Sequence, residues 1–182
     1  MFDKQYRFKG KHAKYVNLLT AKFDQSGKNQ LFNRDMDVLL NAPLVGYLYG
    51  RRADIDYEKN PETGQTYDEN VMAEQVLAIS NELHFNFELI MLLDKDYEAD
   101  SDKRIQKAFG EPDTQKDDIE RFNQYIRGGV EVLYEKLIEN VDTPDDYLKH
   151  LYDFLEELNE RENDKVSEED VLKIARDLRR NN

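Results

Sequence analysis

The residues best equipped for chemistry in this chain are basic and lie near its start. Lys4, Arg7, Lys9, Lys11 and Lys14 are interleaved with Phe2, Tyr6, Phe8 and Tyr15, and a second cationic step, Arg51-Arg52, follows Gly50. Lysine and arginine neutralise phosphates or carboxylates, and aromatic faces stack on unpaired bases. The same composition suits an arm laid across an acidic protein surface, whether of its own body or of a neighbour. These seven cations are therefore the candidate partner-binding residues. A protein partner or a homo-oligomer ranks ahead of nucleic acid.

The acidic candidates carry less. Asp94, Asp96, Glu98, Asp100 and Asp102 alternate in DKDYEADSD. An EF-hand loop starting at Asp94 needs glycine at its sixth position and a carboxylate at its twelfth, where the chain has Ala99 and Ile105. A solvated loop between helices is the expectation there. His84 and Glu88 share a helical face but form only half of a metal site, and His12 and His150 fall in other helices. Gly46 and Gly50 ahead of Arg51-Arg52 lack the spacing of a phosphate loop or a dinucleotide fingerprint. No metal and no cofactor is expected. An enzyme reading survives only as an alternative, with Asp54, Asp56 and Glu58 as carboxylates beside Arg51-Arg52.

Charge is unevenly spread. Residues 1–52 hold ten Lys/Arg against four Asp/Glu, whereas residues 53–182 hold sixteen against thirty-five, for a net charge of −13. Such a split bears on partners and association rather than on fold. Its acidic part suggests a further alternative, an inhibitor that imitates a phosphate backbone, although amphipathic helices expose carboxylates without any such role. Cysteine is absent, so neither disulfides nor thiolate sites arise. The N-terminal stretch has no apolar core of a signal peptide and no run approaches the ~20 residues of a membrane span, which predicts the cytoplasm.

These residues must be positioned by helices. Apolar residues recur with helical spacing over residues 11–23, 36–48, 72–93, 102–109, 116–141 and 143–158. Asn33 is a candidate cap for the second helix, and Pro43 is expected to kink or split it. Gly128-Gly129 interrupts the fifth, where two interior glycines cost about 2 kcal/mol relative to alanine, so a kink or a close helix approach is expected. Thr143-Pro144-Asp145-Asp146 and Ser167-Glu168-Glu169-Asp170 both read as helix starts. The expected fold is all-α, with about six or seven helices in a single helical domain. Residues 1–142 form the core with its basic arm and 143–182 a helical hairpin. The break at residues 53–69, with Asn60-Pro61-Glu62-Thr63-Gly64 at its centre, suits a small β-hairpin or an ordered loop.

Two segments, LFNRDMDVLLNAPLVGYLYGRRADI and FNQYIRGGVEVLYEKL, resemble the small proteins associated with bacterial DNA phosphorothioation (Dnd) gene clusters. The resemblance spans about residues 31–57 and 122–138. The loop after Arg52 differs, and the segment after Thr143 has no counterpart. What it implies is a place in a bacterial defence or DNA-modification neighbourhood; it transfers no catalytic residue. The function expected from the sequence is thus a non-enzymatic accessory or adaptor protein that binds a protein or nucleic-acid partner.

Overall fold

The computed structural model describes residues 2–24, 27–110 and 116–163. It is mostly helical, with a small antiparallel pair of strands. In chain order the elements are β1 (Tyr6–Lys9), α1 (Lys11–Thr20), α2 (Asp35–Leu48), β2 (Asp68–Val71), α3 (Ala73–Ala78), α4 (Ser80–Leu93), α5 (Ser101–Phe109), α6 (Lys116–Leu137) and α7 (Pro144–Asn163). The chain divides into two compact units, Met1–Glu139 and Asn140–Asn182.

In the first unit α6 is the axis. Its expected apolar stripe is Ile119, Phe122, Ile126, Val130, Leu133 and Leu137; the last five are buried and Ile119, near the start of the helix, is half-buried. Burial extends around the helix to Arg121, Arg127 and Glu131, because α1, α2 and α4 all pack against it. The partner packed most extensively on it, α2, is mostly apolar (DMDVLLNAPLVGYL), with Asn41 and Leu48 exposed and its other apolar residues buried or half-buried.

Small residues set that pairing. A Cβ at Gly129 would collide with Ala42 O, one at Gly46 with Tyr125 O, and one at Gly128 with Arg51 O. The two glycines of α6 therefore serve close backbone approach, and α6 runs through them as a continuous helix. Pro43 likewise does not split α2. Proline weakens the hydrogen bonding of the preceding turn, and there the buried Asn86 of α4 donates to Leu40 O at 2.9 Å.

Several boundaries depart from the periodicity. Arg34 rather than Asn33 occupies the cap position of α2, with no side-chain cap bond. The apolar stripe from Val76 to Ile90 is shared by two helices, broken at Ile79 (φ −116°, ψ 15°). Ser80 Oγ donates to Leu77 O at 2.9 Å at this break, a local bond that competes with the helical ladder. The fifth expected helix ends at Leu137, and Asn140 takes a positive φ of 61°.

The N-terminal segment is no free arm. It pairs as β1 with β2 in the register Tyr6↔Val71, Arg7↔Asn70, Phe8↔Glu69 and Lys9↔Asp68. Alternation sends Phe8 into the core and leaves Arg7 exposed. Phe2 also packs down, 5.6 Å ring to ring from Phe122. The turn expected after Asn60 forms, with Asn60 Oδ1 accepting from Glu62 N–H at 2.8 Å and an isolated antiparallel bridge between Lys59 and Thr66.

In the second unit, Thr143 Oγ1 donates to Asp146 Oδ2 at 2.8 Å, and Asp146 N–H points back at that hydroxyl at 3.4 Å. This reciprocal cap, with proline at the first helical position, starts α7. The signal at Ser167-Glu168-Glu169-Asp170, and with it the second arm of the expected hairpin, lies outside the described residues.

Candidate functional site

Three features separate in sequence meet on one carboxylate. Glu131 Oε1 lies 2.9 Å from Lys11 Nζ and 3.1 Å from His12 Nε2, while Oε2 lies 3.6 Å from Arg51 Nη1. Arg51 also grips Glu135, one helical turn on, with both guanidinium ends at 3.0 and 3.2 Å. Helix α1 supplies Lys11 and His12, the turn after α2 supplies Arg51, and α6 supplies both acids. Stacking of Tyr15 on Tyr134 at 3.9 Å holds α1 against α6 beside them.

Burial by itself would raise the Glu131 carboxyl, but hydrogen bonds from His12 and Lys11 outweigh it and bring its pKa down to about 2. An ionised carboxylate only accepts, so the Nε2 of His12 is the donor. His12 is 1% exposed, and its Nδ1 has no partner among the described residues.

The loop after Arg52 docks on the same face. Ala53 N–H donates to Gln124 O at 3.0 Å, and Arg127 Nε donates to Ala53 O at 2.8 Å. Asp56 reaches α1, its Oδ1 accepting from Lys11 N–H at 2.7 Å and from Glu58 N–H at 2.8 Å. The residue before α1 is Gly10, at φ 56°, whose missing side chain leaves room for Asp56. Asp56 thus does from a distance what a capping residue does locally. Burial raises its carboxyl, the two backbone donors lower it, and the net direction is down.

The seven cations expected to bind a partner meet different fates. Arg7 pairs with Asp68 at 3.3 Å, Lys11 with Glu131, Lys14 with Glu58 at 3.4 Å, and Arg51 with Glu131 and Glu135. Lys9 lies over the Tyr57 ring, 5.8 Å from its centroid. Lys4 and Arg52 are exposed. The carboxylates of the enzyme alternative are not brought together: Asp56 caps α1, Glu58 holds Lys14, and Asp54 alone lines an open groove of about 320 Å³ with Arg51, Arg52 and Gln124.

A second concavity, of about 180 Å³, opens beside β1. Its walls include Arg7, Lys9, His12, Ile55, Glu120, Asn123 and Arg127. Arg127 is nearly buried and hydrogen-bonds Glu120, whose side chain is 52% exposed. Tyr6 lines the same concavity; burial raises its phenol well above the usual range, although neighbouring Arg127 pulls the other way.

The acidic run starting at Asp94 is not a solvated loop at its first position. Asp94 is 3% exposed; its Oδ2 accepts from Arg121 Nε at 2.8 Å and from Tyr125 OH at 2.7 Å. Nearby, Asp118 accepts from Tyr97 OH and Lys107 Nζ, both at 2.7 Å. Satisfied pairs of this kind lock the α4–α5 connection onto α6. Among the described residues no group of three or more His, Cys, Asp or Glu is placed to hold a metal ion, and no helix is long and apolar enough to cross a membrane.

No protein-family model, curated protein or solved structure matches this chain. The site must therefore be read from its own geometry. Sequence reasoning passed over Glu131 and Arg127 and weighed His12 as a metal ligand, yet these are the residues on which the site is built. The available signal was the pattern GGVEVLYEKL: a carboxylate between two valines in the most apolar part of α6 is already a buried charge in search of cations.

Proposed function

We propose that this chain is a non-enzymatic accessory protein that docks on a protein partner through the face built by β1, the start of α1, residues 51–58 and the midpoint of α6. The observation that carries this reading is the convergence of Lys11 and Arg51 on Glu131. It makes the basic N-terminal segment, the Arg51-Arg52 corner and the loop after it one continuous surface instead of three.

The choice of a protein over a nucleic acid follows from the pairing of that surface. Arg7, Lys11, Lys14 and Arg51 already face carboxylates of the chain itself. A surface of alternating ion pairs, with Lys4 and Arg52 exposed at its margins, complements another mixed-charge protein surface better than a uniformly anionic phosphate track. The resemblance to proteins of DNA phosphorothioation clusters supports placing that partner among the products of such a cluster.

Immobilised protein and a Lys4→Gln/Lys9→Gln/Arg52→Gln variant, challenged with those products across a salt series, test the reading. A stoichiometric protein retained by the first and lost by the second is the expected result. Equal retention by both overturns the surface, and salt-labile nucleic acid in the eluate in place of a protein overturns the partner class.

A further inference from the structure

The concavity beside β1 has a charge arrangement that docking does not need. Arg127 lines it with an 8% exposed side chain, tied by Nε to Ala53 O at 2.8 Å. Its only carboxylate partner among the described residues is Glu120, whose side chain is 52% exposed. The pair is lopsided. A buried guanidinium left unpaired is costly, whereas a half-exposed glutamate turns into water at little expense.

The rest of the rim fixes what could take its place. Arg7 has its own carboxylate, Asp68, at 3.3 Å. Lys9 faces the Tyr57 ring and has no carboxylate partner among the described residues. With Glu120 swung out, two positive charges, on Arg127 and Lys9, stand uncompensated around a space of about 180 Å³. Phe8 and Ile55 give that space apolar wall and Asn123 an amide.

We propose that this concavity binds a phosphomonoester, with Arg127 and Lys9 holding the dianionic phosphate and Glu120 occupying its place in the unliganded protein. Guanidinium matches phosphate oxygens in a bidentate fork. Charge number decides between anions: a phosphomonoester carries nearly two negative charges at neutral pH, whereas a carboxylate or a phosphodiester carries one and leaves Lys9 unmatched. The volume suits a phosphate with a small organic group and lies below the roughly 300 Å³ at which drug-sized sites begin. Two sources share this chemistry, a small phosphorylated molecule and the 5′-phosphate end of a nucleic acid. The inference does not rest on the docking reading, since it concerns the purified chain alone.

Titration of the full chain, by calorimetry and by amide chemical shifts, with inorganic phosphate, dimethyl phosphate and a nucleoside 5′-monophosphate tests the site. Saturable binding of phosphate but not of its dimethyl diester is expected. Glu120→Gln removes the internal competitor and should tighten binding about tenfold, Lys9→Gln should weaken it about tenfold, and Glu82→Gln, a matched loss of charge at an exposed position of α4, should change it less than about twofold. Single-stranded oligonucleotides with a 5′-phosphate and with a 5′-hydroxyl separate the sources. Preference for the phosphorylated end supports a nucleic-acid terminus, and binding of the mononucleotide alone supports a small molecule. Equal binding of both oligonucleotides, equal gains from Glu120→Gln and Glu82→Gln, or no saturable phosphate binding by Glu120→Gln overturns the proposal.

Discussion

Glu131 of α6 accepts a hydrogen bond from His12 Nε2 of α1 at 3.1 Å, across 119 residues of sequence. The His12 side chain is 1% exposed and that of Glu131 11%, and Lys11 completes the balance of charge at 2.9 Å. Replacing Glu131 by Gln leaves Lys11 and Arg51 without this counter-charge, so Glu131→Gln should lose roughly 3 kcal/mol of unfolding free energy at neutral pH. Urea titration read by tyrosine fluorescence and far-ultraviolet circular dichroism measures it; a loss below about 1 kcal/mol would mean that Glu135 compensates.

The same carboxylate sets an acid limit. Its folded-state pKa of about 2 lies below the ordinary value of 4.5, so the stabilisation is complete above about pH 4.5 and disappears as pH falls toward 2. The shift corresponds to roughly 3 kcal/mol. Stability measured between pH 6 and pH 3 should fall more steeply for the parent protein than for Glu131→Gln. Parallel curves would refute the assignment of this step to Glu131.

Gly129→Ala should be strongly destabilising, although alanine favours helix by about 1 kcal/mol. The added Cβ would meet Ala42 O, and α2 would have to move off α6. Overpacking costs typically 1–3 kcal/mol and more where backbone is struck. Thermal melting of Gly129→Ala beside an exposed α6 control, Glu135→Ala, separates backbone contact from surface effects. A melting point at or above the parent's would mean that the two helices can separate freely.

Asp94→Ala should cost about 3–5 kcal/mol, because it strands Arg121 and Tyr125 in the interior. The double replacement Asp94→Leu/Arg121→Met should cost less than the single one, since no unpaired charge remains. Calcium should leave the melting temperature unchanged, because both oxygens of Asp94 are already engaged by Tyr97 N–H, Arg121 and Tyr125. A calcium-dependent rise would restore the metal reading of the acidic run.

Asp56→Ala should remove the distant cap on α1 and cost about 1–2 kcal/mol, the usual range for a lost capping side chain. The local signature is faster amide exchange at Lys11 and Glu58, whose N–H groups donate to Asp56 Oδ1 at 2.7 and 2.8 Å. Unchanged exchange at both would show that water replaces the carboxylate without penalty.

Much of the architecture was legible because it rests on local rules. The stripe Phe122–Ile126–Val130–Leu133–Leu137 announces α6 by spacing alone. Thr143-Pro144-Asp145-Asp146 announces the start of α7, and Asn60-Pro61-Glu62-Thr63-Gly64 announces a turn. The misread parts are those in which two segments compete or cooperate. The Met72–Ile90 stripe is broken at Ile79, where Ser80 donates to Leu77 O, and α2 is not split at Pro43, near which Asn86 of α4 donates to Leu40 O. Asp94 looks solvated in DKDYEADSD because its cation, Arg121, lies 27 residues away.

The sequence by itself determined that the chain is helical, that its start is basic and its remainder acidic, and that glycine in α6 serves a kink or a close approach. Those follow from periodicity and composition, which each segment carries on its own. Only the tertiary structure decided where the charges go. It turned the basic N-terminal segment into a strand, spent Lys11 and Arg51 on Glu131, and set Lys9, Arg127 and the half-exposed Glu120 around one concavity. An ion pair depends on distance and desolvation between residues far apart in the chain, and neither quantity exists until helices α1, α2 and α6 have packed.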